Sequence, residues 1–388
     1  MKLIKSIYNI KQVLSYLSEK IKLNMIIYNK VFQNKLGINI ENYKKISGKY
    51  KIGVKNGNGK EYAISSNTLL FEGEYLNGRR NGKGKEYSNK SYLKFEGEYL
   101  NGRRNGKGKE YFNKSKLKFE GEYLKGKKWI GKGYDIQGNI IYEIKNGNGF
   151  FQDYDDDGRL KFEGYYLNGE ISGKGKEFYD YYKLKFEGEY IKGKRNGKGK
   201  EFNINGELEF EGEYLSGKKY GKGKEYYKKD DLYYIGIFES ININLNEKKY
   251  FRLKFEGEFW DDKRWNGKGY NINGKVKYIL KNGNGYVEEY TKDMKFEGEY
   301  LKGEKNGNGK EYYFVLSNFN FFEYNGENNV EKKKYKKCKI YEGEYLNGKR
   351  NGKGKEYDIY GRLSYEGLYL NGERNGNGKE YAYFEMVN

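Results

Sequence analysis

The chain has 388 residues, of which 36% are apolar, 18% aromatic and 34% charged, with 55 glycines and no proline. This composition is too aromatic for a disordered chain and too rich in glycine for a helical protein. The formal net charge of +21 suggests an anionic partner, although a codon bias toward A and T would also enrich the chain in lysine.

The amino-terminal residues 1–47 differ in texture from the rest. Their apolar residues recur at spacings of three and four, which predicts two or three short helices. Residues 13–36 resemble an F-box, the helical motif that docks onto the Skp1 adaptor of ubiquitin ligases, although its Leu-Pro opening and later Trp are missing. The alternative is a helical cap over the open edge of the first hairpin. The adaptor-docking residues implied by the resemblance are Val13, Leu14, Tyr16, Leu17 and Leu23.

A repeated block follows. Residues 71–87 read FEGEYLNGRRNGKGKEY and recur letter for letter at 95–111. Further copies follow, many of them 24 residues apart, and a longer stretch from Lys127 returns in similar form 136 residues later, from Lys263. We therefore predict a repeat array over 48–382, with insertions near 228–254 and 312–340 and a tail at 383–388.

Each block predicts a β-hairpin. Phe71, Gly73 and Tyr75 alternate with glutamates, which is the period of a strand, and an Asn-Gly turn precedes a second extended run. Setting Leu76 opposite Asn81 closes a four-residue loop, places each glutamate opposite a lysine and leaves Gly73 facing a second glycine. The same pairing across the link lays the next block's Phe over that glycine, so the glycines provide space for aromatic rings.

A hairpin cannot bury its own ring face, but stacked hairpins cover one another. We expect the core of the array to contain Phe71, Gly73, Tyr75, Gly82, Gly84, Phe95, Gly97, Tyr99, Gly108, Phe119, Gly121, Tyr123, Phe162, Phe186, Gly188, Tyr190, Gly199, Phe210, Gly212, Tyr214, Phe255, Phe296, Tyr341, Gly343, Tyr345, Gly354 and Tyr365.

The block resembles the MORN repeat, in which an aromatic residue, Glu-Gly, an acidic residue and a second aromatic precede Asn-Gly, a basic pair and Gly-x-Gly. Two departures are Asn81, where the family often has His, and Tyr87, which falls one residue late, as in the antitoxin-like variant of the repeat. The resemblance covers about 50–382. It implies a mainly β fold, an elongated single-layer antiparallel sheet curved into a groove, which acts as a scaffold for proteins.

Basic pairs recur at the predicted loops and suggest a stripe that could bind the phosphates of lipid or nucleic acid. The alternative is a solubilising edge that discourages aggregation, and Glu170, Glu304 and Glu373 interrupt the stripe. The candidate anion-binding residues are Arg79, Arg80, Arg103, Arg104, Lys127, Lys128, Lys194, Arg195, Lys218, Lys219, Lys263, Arg264, Lys349 and Arg350.

Catalytic chemistry has little support, because histidine is absent and Cys338 is the single cysteine. The phosphate-loop spacing at 121–127 and 188–194 lacks the following Ser or Thr and the helix. We expect no catalytic residue, metal or cofactor, and a non-enzymatic scaffold that binds proteins. The alternatives are an F-box substrate adaptor and a protein that binds anionic membrane lipids. Nucleic acid is not the partner we expect, and the expected location is the cytoplasm, with peripheral membrane attachment as an alternative.

Overall fold

The computed structural model describes residues 49–53, 55–231, 235, 253–290, 294–316, 321–325, 328–332 and 335–383. They are mainly β, as predicted, and the chain divides into two compact units between Ile171 and Ser172. The helices predicted within 1–47, and the adaptor-docking residues Val13, Leu14, Tyr16, Leu17 and Leu23, lie outside the described residues. No helix among those described is long and apolar enough to cross a membrane.

In the first unit, successive strands pair antiparallel in chain order, β1 through β9 in one sheet and β10 with β11. The strands are β1 Lys49–Gly53, β2 Gly57–Ala63, β3 Leu69–Leu76, β4 Arg79–Tyr87, β5 Leu93–Leu100, β6 Arg103–Tyr111, β7 Leu117–Leu124, β8 Lys127–Tyr134, β9 Ile140–Ile144, β10 Gly149–Tyr154 and β11 Leu160–Leu167.

The second unit repeats this plan in strands β12 to β19 and again from β20 onward, where β22 pairs with β25 and the hairpin β23–β24 stands apart. The strands are β12 Glu170–Phe178, β13 Leu184–Ile191, β14 Lys194–Phe202, β15 Leu208–Leu215, β16 Lys218–Tyr226, β17 Leu253–Trp260, β18 Lys263–Tyr270, β19 Val276–Leu280, β20 Gly285–Tyr290, β21 Met294–Leu301, β22 Glu304–Leu316, β23 Phe321–Asn325, β24 Asn328–Lys332, β25 Tyr335–Leu346, β26 Lys349–Tyr357, β27 Leu363–Leu370 and β28 Glu373–Glu380. The predicted insertion at 312–340 therefore extends β22 and β25.

The predicted four-residue loop is wrong. Leu76 pairs with Arg79, so the turn has two residues, Asn77 and Gly78, with φ of 51° and 73°. Asn-Gly adopts this left-handed pair of conformations at low cost. The surplus residues form a bulge, because Gly73 pairs with Gly84 while Tyr75 pairs with Arg80. The predicted pairing of the two glycines is confirmed, because the bulge lies between this pair and the turn and leaves the pair in register.

One face of each sheet, which we call the ring face, holds the core. All the aromatic residues predicted for the core are buried, and Phe162 is the most exposed at 8%. Phe95 packs edge to face against Tyr99 of its own hairpin at 5.6 Å and against Tyr123 of the next at 5.2 Å between ring centroids. Edge-to-face pairs of this kind are the favoured arrangement of aromatic rings, and they link each hairpin to its neighbour.

The rings lie against the glycines, but the predicted origin of the ring is wrong. A β-carbon on Gly84 would meet Phe71 of the same hairpin at 2.7 Å from Cε2. The Phe71 ring therefore packs against a glycine of its own hairpin and not against a glycine of the neighbouring hairpin. A neighbouring ring fills this role at Gly133, which seats Tyr142 of the next strand, and at Gly269. These two glycines, which the sequence analysis did not single out, stand where other hairpins have a glutamate.

Candidate functional site

The face opposite the rings, which we call the groove face, carries an open groove in the first unit, with a volume of about 1170 Å³. Its floor is a row of glycines in register, one per strand from β2 to β8. Because glycine has no side chain and the rings pack on the other face, the floor is bare backbone. The floor glycines are Gly59, Gly73, Gly84, Gly97, Gly108, Gly121 and Gly131.

One wall of the groove is a row of alternating charges. Lys85 pairs with Glu96 at 3.7 Å and Lys109 with Glu120 at 2.9 Å. The hydroxyl of Tyr111 donates to Glu96 at 2.6 Å. These ion pairs are about half exposed, so they add little stability, but they hold lysine and glutamate in a fixed alternation along the wall. The sequence left the facing of the late tyrosines open, and the structure places them on this wall.

The other wall contains glutamates and lysines that are not paired with each other. The backbone N–H of Lys83 donates to Glu74 at 3.2 Å, and that of Lys107 donates to Glu98 at 3.3 Å. The carboxylates therefore fold over the bulges. The ammonium groups of Lys83 and Lys107 form no ion pair with any described residue, and the carboxylates of Glu74 and Glu98 are also exposed, so this wall presents charges of both signs to solvent.

The second unit has a smaller groove of about 680 Å³ over Gly309, Gly343, Gly354 and Gly367. Its walls depart from the charge pattern. Tyr286 and Leu368 line it, whereas Asn308, like Asn58 of the first groove, stands where other strands have a lysine. The two grooves share a glycine floor but differ in wall chemistry.

The ring face carries a second charged row, which we call the charge ladder. Arg104 bridges Glu86 at 2.7 Å and Glu110 at 2.5 Å, and its guanidinium lies 4.0 Å from the centroid of the Phe95 ring. Burial would raise the pKa of Glu110, but the charges of Lys128 and Arg104 outweigh it and lower this pKa to about 2. The ladder therefore covers the rings with paired charges.

Related ladder segments occur in both units. The first consists of Glu61, Arg80, Glu86, Arg104, Glu110 and Lys128. In the second unit one segment contains Glu177, Arg195, Glu201, Lys219, Glu225, Arg264 and Glu289, and another contains Lys305, Glu311, Arg350, Glu356, Arg374 and Glu380. The sequence analysis did not predict the ladder, although the glutamate directly before each late tyrosine, as in Glu86 and Glu110, is a ladder residue and could have indicated it.

The basic pairs do not form the continuous stripe of free cations that the sequence suggested. The second member of each pair is a ladder residue: Arg80, Arg104, Lys128, Arg195, Lys219, Arg264 and Arg350. Among the first members, Lys127 pairs with Glu170, Lys218 with Asp261 and Lys263 with Glu304. Arg79, Arg103, Lys194 and Lys349 are exposed and form no ion pair within the part of the chain that the structure describes.

Polar side chains also join the turns. The side-chain oxygen of Asn105 accepts the N–H of Lys125 at 3.1 Å, and the N–H of Gly126 donates to the carbonyl of Arg104 at 2.8 Å. This turn is thus tied to the bulge of the preceding hairpin, and several other turns are tied in the same way. The Asn that replaces the family's His provides this link.

Comparison with known families identifies the repeat. The MORN repeat family matches residues 71–91, 95–115, 162–180, 186–207, 210–231, 296–314, 341–358 and 365–382. The copies beginning at Phe119 and Phe255 fall outside these matches, although both form hairpins with a shortened bulge. A search of curated proteins gave no match. MORN repeats build scaffolds that commonly take part in protein or membrane interactions, and this chain, with eight of them, is a MORN-repeat protein.

Proposed function

We propose that the protein is a non-enzymatic scaffold that binds one or more other proteins on its groove face. The observation that carries the proposal is the glycine floor between two charged walls, continuous over seven strands of the first unit. A bare backbone floor admits a partner chain closely, and the side chains on either side can recognise its charges.

The two faces of the sheet differ in availability. On the ring face the aromatic side chains are buried and the charge ladder lies over them, as with Arg104 above Phe95. On the groove face, no described residue covers the glycine floor, and the lysines of one wall lack partners. Recognition of another protein is therefore expected on the groove face.

The wall chemistry favours a partner with charges of its own. Lys85, Glu96 and Lys109 recur in step with the strands, about 4.8 Å apart, so opposite charges on a partner can be matched in register. Complementary charges of this kind chiefly set specificity and the rate of association.

The experiment is affinity capture with the full chain from cells that express it. Reversing two wall charges, Lys85→Glu with Lys109→Glu, is expected to abolish retention of proteins that the unchanged chain captures. The control, Lys90→Glu with Lys125→Glu, makes the same change of charge at exposed sites outside the groove and should retain them. Equal capture by both variants, at equal melting temperature, would remove the groove from the function.

A further inference from the structure

In the second unit, the residue before each of three successive turns forms an apolar row on the groove face. Ile191, Leu215 and Trp260 are 55%, 48% and 52% exposed. Each follows a buried aromatic residue, and successive side chains of a strand point to opposite faces. The row therefore lies on the groove face, where these large apolar side chains are exposed to water when no partner is bound.

Trp260 belongs to an aromatic cluster. Its ring lies 4.9 Å from that of Tyr220 and 6.2 Å from that of Trp265, measured between centroids. Tyr220 stands where the preceding hairpin has Asn196, and Trp260 stands where other hairpins have Leu or Ile. The equivalent hairpins of the first unit keep Asn and Leu at these positions, so the cluster is a local departure from the repeat.

The neighbouring turn departs as well. Asp261 and Asp262 have φ of 53° and 69°, whereas the second position is glycine in the related turns. Aspartate is one of the few other residues that tolerate positive φ. Asp262 accepts the N–H of Lys219 at 2.8 Å and donates its own N–H to the Lys219 carbonyl at 3.1 Å. The backbone bond is the link found at the other turns, and the bond to the Asp262 side chain replaces the side-chain link that Tyr220 cannot make. The turn is thus altered to accommodate the aromatic cluster.

Two lysines without ion-pair partners lie beside the apolar row. Lys198 and Lys222 are exposed, and their ammonium groups pair with no residue that the structure describes. Glu213 lies opposite Lys198 and Glu258 opposite Lys222 in the strand register, and both carboxylates are exposed. They are held by other donors: Glu213 accepts the backbone N–H of Lys222 at 3.4 Å, and Glu258 accepts the side-chain amide of Asn266 at 2.7 Å. An acidic partner would complement these lysines.

The spacing of the row selects the conformation of the partner. Successive hairpins are two strands apart, or about 9.6 Å. Polyproline II returns to the same face after three residues, about 9.3 Å. An α-helix needs seven residues and about 10.5 Å, whereas a β-strand returns to the same face after two residues, about 6.7 Å. Grooves lined by aromatic residues are also the usual docking sites of proline-rich segments.

We propose that Ile191, Leu215 and Trp260, flanked by Lys198 and Lys222, bind an acidic proline-rich segment of a partner protein in the polyproline II conformation. The segment carries an apolar residue at every third position and acidic residues between them. This inference rests on the proposed scaffold function and names the class of partner for the second unit.

The test uses the full chain and synthetic peptides. A labelled peptide of repeated Pro-Leu-Glu triplets is expected to bind, to shift the tryptophan emission to shorter wavelength as Trp260 loses water, and to bind more weakly as salt is added. A Pro-Leu-Lys peptide and a helix-forming peptide with Leu at every seventh position and Glu around it serve as comparisons. Equal binding of the lysine peptide, stronger binding of the helical peptide, or no binding of the acidic peptide would overturn the proposal.

Variants locate the site. Trp260→Ala is expected to weaken binding at least about tenfold, as for an aromatic hot spot, whereas Leu124→Ala, at the equivalent position of the first unit, should leave it unchanged. If Trp260→Ala unfolds, Trp260→Leu restores the residue of other hairpins and should still abolish the emission shift. If Trp260→Ala binds the peptide as tightly as Leu124→Ala does, the site is rejected.

Failure here is distinguishable from failure of the scaffold function. If the charge-dependent capture through Lys85 and Lys109 persists while no proline-rich peptide binds, the scaffold function stands and this partner class is rejected. If capture is lost as well as peptide binding, both proposals fail.

Discussion

Gly199 lies against the ring of Phe186 across its hairpin, and a β-carbon on this glycine would come within 2.7 Å of Phe186 Cε2. Phe186 is completely buried. On the other side Tyr214 of the next hairpin would be 3.2 Å from the same β-carbon. Because both rings are held in the core, neither can move aside without opening it. Packing alone therefore requires glycine at this position.

Gly199→Val is expected to lower the free energy of unfolding by about 1–3 kcal/mol, the usual cost of overpacking a core. Intrinsic preference predicts the opposite sign, since valine is the better strand former. Urea denaturation measures the change. The matched control is Lys198→Thr on the exposed face, which should change stability by under about 0.5 kcal/mol. A neutral valine variant beside an unfolded threonine variant would show that the two faces had been assigned the wrong way round.

The sequence predicts the strands and most of their pairing because one block carries the full period of a strand. The alternation of Phe71, Gly73 and Tyr75 with glutamates can be satisfied by only one facing of the sheet, and opposite charges then select the register. The sequence cannot distinguish a four-residue loop from a two-residue turn followed by a bulge. Both arrangements leave Gly73 opposite Gly84.

The sequence also hides the difference between the two members of a basic pair. Arg103 and Arg104 read alike, but strand alternation places one in solvent and the other above the Phe95 ring between two carboxylates. A pattern of charges alone cannot show which side chain is engaged, because the partners come from two different strands. For this reason the sequence does not separate the ladder residues from the other candidate anion-binding residues, and it does not predict the charge ladder.

Two tyrosines of the ring face differ in whether the hydroxyl group has a hydrogen-bond partner. The hydroxyl of Tyr99 donates to Glu86 at 2.8 Å, whereas the buried hydroxyl of Tyr123 makes no hydrogen bond to the residues that the structure describes. Tyr99→Phe should therefore cost about 1.5–3 kcal/mol, the range for a hydrogen bond to a charged group, and Tyr123→Phe should be neutral or slightly stabilising. Thermal unfolding of the two variants checks this, and equal losses would contradict it.

Among substitutions near the surface, the removal of Arg104 is expected to cause one of the largest losses of stability. Arg104→Ala leaves Glu86 and Glu110 without their shared partner, and breaking a buried ion pair by removing one member costs about 3–5 kcal/mol. Arg103→Ala, at the exposed neighbour, should cost less than about 0.5 kcal/mol. Arg104→Lys should be intermediate, because Lys128 fills the same role in the next hairpin. Chemical denaturation ranks the three, and similar losses for both alanine variants would exclude the ladder as a source of stability.

The ladder carboxylates predict a loss of stability in acid. Burial would raise the pKa of Glu61, but its hydrogen bond and ion pair with Arg80 outweigh this and lower the pKa to about 2, and the pKa of Glu110 is likewise lowered to about 2, against an ordinary value of 4.5. Since the folded pKa is the lower one, the stabilisation is complete above about pH 5 and is lost as the pH falls toward 2. Urea denaturation across this range should show the decline. Glu110→Gln should be less stable at pH 7 and decline less steeply, and an unchanged slope would assign the acid sensitivity to other groups.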